Sequence, residues 1–204
     1  MRRPPWCAVI ALAAFAVMLA LVLAGVTGTV DGAILAALRR AGRPGAANVP
    51  PVLVSGAVGL TMLGAGWARA IVALGGAMLL AIRRGPRPAL VLLGAWAGGA
   101  LVVESAKRLV GRPRPPLVYH LVPVHQASFP SGHSAGAMLL FPLLGWLAAG
   151  RAGAAVGIAL AVLIGMTRIL LGVHWASDVV GGWMLGGAMA LLAGHIAGGR
   201  HRRR

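Results

Sequence analysis

Three short segments concentrate the side chains able to do chemistry: "KRLVGRPRPP" at 107–116, "PSGH" at 130–133 and "TRILLGVHWASD" at 167–178. In the third, His174 and Asp178 stand four residues apart. That is one helical turn, so on a helix the carboxylate accepts the proton of one imidazole nitrogen and leaves the other basic and free. Arg168 follows one apolar run and Asp178 precedes another. Charge at membrane depth costs about 2.5–3.5 kcal/mol on insertion scales, so both residues require partners or a function. Snorkelling of Arg168 and placement of Asp178 at a helix N-terminus would satisfy them separately, but neither accounts for His174.

In "PSGH", Pro130 ends a loop and Ser131 is a natural N-cap. Free amides near Gly132 and His133 would open a helix as an anion-binding nest, and a glycine there lets a ligand approach the backbone. The plainer reading is a capped helix with His133 at the interface. In "KRLVGRPRPP", Lys107 and Arg108 close a helix that Pro113, Pro115 and Pro116 forbid from continuing. Arg112 and Arg114 therefore sit on a non-helical loop. In an extended chain both point to one side; in a polyproline twist they diverge and only one faces a site. Alone, this segment reads equally well as a solvated basic loop, with Glu104 pairing Lys107 or Arg108 along the helix. Taken together, Lys107, Arg114, Arg168 and helix-end amides around a basic imidazole suit a phosphate attacked at phosphorus.

The elements that must position these groups are apolar. The chain has 204 residues, 59% of them hydrophobic, with only three acidic side chains, and its mean hydropathy is +0.86. These values point to a polytopic membrane protein rather than a soluble domain. The formal charge of +16 does not imply nucleic acid, because the basic residues fall in short clusters between apolar runs rather than along an amphipathic face. Cys7 is the only cysteine, which excludes an internal disulfide and cysteine-rich metal ligation. Carboxylates are too few and scattered for an oxygen-ligated Mg²⁺ or Ca²⁺ site.

Spans are expected at Trp6 to Val26, Met62 to Ile82, Ala89 to Val110, Ser134 to Ala149, Ala154 to Leu171 and Val179 to Ile196. The first is longer than the core of a secretory signal peptide. Val52 to Leu60 is too short to cross and reads as an interfacial lead-in, with a seventh crossing as the competing topology. The expectation is an all-α, polytopic bundle of about six transmembrane helices, one domain over 1–204. Arg2, Arg3, Arg83, Arg84, Arg87, Arg151, Arg200, Arg202, Arg203 and Arg204 then share one side, with 198–204 as a basic cytoplasmic tail. Opposing them are Arg39, Arg40 and Arg43. Both termini are expected in the cytoplasm. Small residues four apart in "GAWAGG" and "GGWMLGG" suit helix packing within the chain. Two crossings separate "PSGH" from "TRILLGVHWASD" and none separates it from "KRLVGRPRPP", so all three segments fall on the extracytoplasmic face.

The spacings match a known pattern: Lys107, six residues, Arg114-Pro115; Pro130 to His133; and Arg168, five residues, His174, three residues, Asp178. This resembles the type 2 phosphatidic acid phosphatase superfamily, which includes membrane lipid phosphate phosphatases and soluble vanadium haloperoxidases. One departure is Thr167, where the family usually has serine; a hydroxyl is retained. The resemblance implies a histidine phosphatase core within 107–178 in which His174 attacks phosphorus to form a phosphohistidine and Asp178 fixes its tautomer. It implies that His133 protonates the leaving oxygen and then activates water. Lys107, Arg114, Arg168, Ser131 and the amides around Gly132 would hold the phosphoryl oxygens. It implies neither metal nor cofactor. His120 and His125 match no ligand motif and read as loop residues.

The expected function is a metal-independent phosphatase of the plasma membrane that hydrolyses a lipid phosphate or diphosphate, of the undecaprenyl diphosphate, phosphatidylglycerophosphate or phosphatidic acid type. Its partners are that lipid and the bilayer, not nucleic acid; oligomeric state is left open. The rival readings are an anion transporter or channel lined by the buried cations, and a phosphatase-like scaffold without activity. A haloperoxidase would need a soluble domain that the chain does not provide.

Overall fold

Proline and glycine cut the apolar chain into helices, and the cuts decide where polar groups emerge. A computed structural model describes residues 6–124 and 126–198. His125, Arg2, Arg3 and the arginines beyond Gly198 lie outside the described residues. Those residues form α1 (Trp6–Leu23), α2 (Gly28–Ala37), β1 (Arg39–Arg40), β2 (Arg43–Ala47), α3 (Pro51–Met62), α4 (Gly66–Arg84), α5 (Pro86–Val110), a 3₁₀ turn (Leu117–Tyr119), α6 (Gly132–Leu170) and α7 (Ala176–Gly198). Pro86 opens α5 at its first turn, where a missing N–H costs nothing. Gly111, in the left-handed region at φ 60°, ends α5 and donates its N–H to Lys107 O at 2.9 Å.

Helices α1, α4, α5, α6 and α7 are long and apolar enough to cross a membrane. At 39 residues, α6 would be about 58 Å long if straight, nearly twice the hydrocarbon thickness. It is not straight. Ala149 and Gly150 leave the helical region, with Gly150 at φ 67°, and the backbone of Gly145 lies against that of Gly153, as that of Gly157 does against Phe141. The two legs, 132–148 and 151–170, therefore run antiparallel and correspond to the fourth and fifth expected spans. Among the described residues six apolar spans result, and the chain is an integral-membrane helix bundle.

Between Val52 and Leu60 the chain is helical but does not cross: α3 has 12 residues, about 18 Å. It lies over the site end of the bundle, where Ala57 packs against Leu171 and Val173. The short β hairpin, pairing Arg39 with Ala47 and Arg40 with Arg43, is an addition to the all-helical expectation. Arg39 within it is no solvated loop charge. It is 5% exposed and donates to Leu170 O at 3.0 Å and Tyr119 O at 2.8 Å, stapling the hairpin to the end of α6.

The small residues of "GGWMLGG" bring α7 against the first leg of α6. A Cβ at Gly182 would meet Ser131 O at 2.8 Å, and one at Gly186 would collide with the Ala135 carbonyl, whereas Gly187 faces only Met138 Cγ at 3.8 Å. Gly186→Val is therefore expected to destabilise the fold by about 1–3 kcal/mol through overpacking. A lowered thermal unfolding midpoint in detergent, with Gly187→Val near wild type, is the outcome that checks this.

Candidate active site

Three helix ends and two loops meet at one end of the bundle. α5 delivers Lys107 and stops; the loop after it carries Arg112 and Arg114; α6 opens with Gly132 and His133; the second leg of α6 ends with Arg168; and the connection to α7 holds His174, with Asp178 in the first turn of α7. His133 is within electrostatic reach of Arg168, Arg69, His174 and Lys107, and Lys107 of Arg114, Asp178 and Arg168. The three sequence segments thus converge.

The imidazole of His174 is 2% exposed and the carboxylate of Asp178 is 0% exposed. Nδ1 of His174 donates to Asp178 Oδ2 at 3.3 Å, so its proton sits on that nitrogen and Nε2 carries the lone pair. Nε2 faces Arg114, whose Nη1 lies 3.0 Å away and also donates to Val173 O at 2.6 Å. The same Oδ2 accepts the Trp175 N–H at 2.9 Å and the hydroxyl of the fully buried Ser128. Every direction around the carboxylate is filled, which fixes the imidazole plane.

Backbone carbonyls hold two of the cations, Lys107 and Arg114. Lys107 Nζ donates to Ala127 O at 2.5 Å and Arg114 Nε to Gln126 O at 2.5 Å. Ser128 N donates to Arg112 O at 2.8 Å, lacing the two loops together. Arg168, 3% exposed, donates from Nη1 to Thr61 Oγ1 at 2.7 Å, while its buried Nε has no protein acceptor. A guanidinium so placed can turn its remaining N–H groups to an anion.

Ser131 is the N-cap of α6 and fully buried: its Oγ accepts from Ser134 Oγ at 3.0 Å and Ser134 N at 3.5 Å, and its N–H goes to Asp178 O at 3.0 Å. In both side-chain bonds the Ser131 oxygen accepts, so its O–H remains a donor, and the first turn can offer an anion that hydroxyl together with the amides of Gly132 and His133. Thr167, in contrast, donates its hydroxyl locally, to Ile164 O at 2.6 Å. His120 holds its Nε2 2.8 Å from Pro115 O.

Sequence reasoning left Arg112 undecided and did not single out Asp31, Ser128, Thr61 or Arg69. Arg112 turns away from Nε2 and pairs with Asp178 Oδ1 at 2.5 Å and Asp31 Oδ2 at 2.9 Å. Asp31 is one of only three acidic residues in the chain, and that rarity was its available signal. Arg69 donates to Gly132 O at 2.6 Å, its guanidinium lying directly against Gly136.

Comparison with known proteins identifies the family and the fold. Residues 88–202 match the family model described as the PAP2 superfamily. The chain is 36% identical over 165 residues to the decaprenylphosphoryl-5-phosphoribose phosphatase of Mycobacterium tuberculosis, covering 76% of this chain and 86% of that one. It superposes on the crystal structure of the transmembrane PAP2-type phosphatidylglycerolphosphate phosphatase from Bacillus subtilis with a TM-score of 0.86 and 25% identity, over 97% of this chain and 98% of that one. LpxE of Aquifex aeolicus superposes with a TM-score of 0.60 and 27% identity, over 72% and 87% of the respective chains.

Burial pushes the His174 pKa from the ordinary 6.5 down to about 3, against the opposing pull of Asp178. Between those values the unfolded chain binds the proton and the folded one does not. The contribution of this group is therefore intact above pH 6.5 and eroded as pH falls toward 3. His174→Asn is expected to flatten the decline of the unfolding midpoint between about pH 6 and pH 4; an unchanged slope would show that His174 is not held neutral.

Proposed function

The chain belongs to the PAP2 superfamily and is a membrane lipid phosphatase; from that premise we propose that it works through a phosphohistidine on His174. The observation that carries this reading is the orientation of the ring: Nδ1 is tied to Asp178, while Nε2 opens toward Arg114. Nε2 attacks phosphorus in line with the lipid oxygen, the P–N bond forms and the P–O bond breaks. His133, protonated, gives its proton to the departing oxygen. Asp178 keeps the Nδ1 proton in place and balances the imidazolium charge. In the second step His133 takes a proton from water, whose oxygen attacks phosphorus; the P–N bond breaks and inorganic phosphate leaves.

Lys107, Arg114 and Arg168 neutralise the phosphoryl oxygens, with the Gly132 and His133 amides. All three cations are pinned before substrate arrives, so little reorganisation is needed as charge develops. The positive charge comes from side chains that offer no lone pair to a metal, and the mechanism requires none. Ser131 shapes the turn as its N-cap and keeps its hydroxyl proton for a phosphoryl oxygen.

The substrate is an amphiphile whose tail stays in lipid while a terminal phosphate or diphosphate enters the cluster. The site lies on the extracytoplasmic face, a reading supported by the charge at the far end of the bundle. There Arg84 donates to Ala148 O and Arg87 to Ile196 O, beside the turn that carries Arg151, the pattern of a cytoplasmic side.

Phosphate release from a panel of decaprenylphosphoryl-5-phosphoribose, undecaprenyl diphosphate, phosphatidylglycerophosphate and phosphatidic acid in detergent is the test. Turnover of at least one lipid is expected to persist in EDTA and to fall by at least about 10³-fold in His174→Ala. Full activity in that variant, or abolition by EDTA, would overturn the mechanism.

A further inference from the structure

Behind the His174–Asp178 pair lies a second carboxylate that the proposed mechanism leaves unused. Asp31, on α2, is 2% exposed. Its Oδ2 accepts from Arg112 Nη2 at 2.9 Å and from Ser177 Oγ at 2.5 Å, and its Oδ1 accepts the Ser177 N–H at 2.9 Å. Arg112 in turn gives Nη1 to Asp178 Oδ1 at 2.5 Å and to Ser177 Oγ at 2.8 Å. Thr27 Oγ1 accepts from Nη2 at 3.2 Å, and the Trp175 ring lies 5.8 Å from the guanidinium carbon. The two carboxylates are thus bridged by one cation, on the side of Asp178 away from Nε2.

Charge decides what this bridge does. Arg112 alone against Asp178 would form a neutral pair, leaving a buried imidazolium with no counter-charge in a poorly solvated site. Adding Asp31 returns the group to a net charge of −1, the charge an imidazolium or phosphoimidazolium at His174 requires. We infer that Asp31, acting through Arg112, is a positioning and charge-balancing residue for the His174–Asp178 pair. It works in two ways. Its oxygens fix the start of α7, and hence the backbone that carries Asp178; its charge offsets Arg112, so that Asp178 remains an effective counter-ion. Asp31 lies outside the 88–202 family match, so the N-terminal helices complete the electrostatics of the core rather than merely enclosing it.

The inference rests on His174 being the nucleophile, and the experiment separates the two claims. In steady-state assays with a lipid phosphate that the wild type turns over, Asp31→Asn is expected to lower kcat by about 10- to 100-fold, the range of a lost charge-assisted contact. KM is expected to stay within about twofold, because both Asp31 oxygens are engaged by Arg112 and Ser177. Adding Arg112→Gln to Asp31→Asn removes more contacts, yet restores the net −1 around Asp178 and is expected to recover at least about tenfold of the lost kcat. A purely structural role predicts the opposite, a double variant no better than the single one, and that result would overturn the inference, as would wild-type kcat in Asp31→Asn. Should Asp31→Asn fail to fold, the double variant decides alone, since it removes the Asp31 and Arg112 charges together and keeps an amide donor at position 112 for Asp178. Its kcat within about tenfold of wild type supports the inference and a larger loss contradicts it. Full activity in His174→Ala would instead defeat the reading on which it rests.

Discussion

A carboxylate with no exposed surface holds an imidazole with almost none, and the rest of the site is arranged around that contact. Asp178 can remain ionised there only because its oxygens are fully engaged, by His174, Ser128 and Trp175 on one side and Arg112 on the other. Removing any donor would leave a buried charge short of a partner, the costly case for such groups. The same engagement leaves the imidazole a single orientation. One nitrogen is committed to the acid and the other opens onto the cations.

Helix endings provide the positioning. Gly111 stops α5 so that Lys107 lies at its terminus and Arg112 and Arg114 fall on an irregular segment. Ser131 starts α6, and its N–H is held by the carbonyl of Asp178 itself, which locks the first turn of α6 to that of α7. Glycines in α7 let these two turns approach closely enough for His133 and His174 to share a charge environment. Membrane helices supply rigidity, and the proposed catalytic groups sit where the helices end.

Much of this was legible in the chain. Apolar run lengths placed the spans, including both legs of α6, because the bilayer imposes a length that composition reports directly. The three polar segments stood out because charge in an apolar sequence is expensive and therefore informative. Ser131 was legible as a cap because a serine ahead of an apolar run supplies the acceptor that a helix start needs. Asp31, Thr61 and Arg69 were hidden for another reason. Each enters the site from a helix far away in sequence, and no local spacing links Asp31 to Arg112 or Thr61 to Arg168. The β hairpin escaped because its register rests on Arg39 bonding carbonyls of Leu170 and Tyr119, a tertiary cause that a pattern of local propensity does not carry.

The proposal that this lipid phosphatase works through His174 is most directly tested by the residue that carries phosphate during turnover. Brief reaction with a radiolabelled lipid phosphate, quenching in alkali and peptide mapping should recover an acid-labile, base-stable phosphoryl group on His174. Label on any other residue, or rapid turnover with no labelled protein at any quench time, would contradict a covalent step at that imidazole.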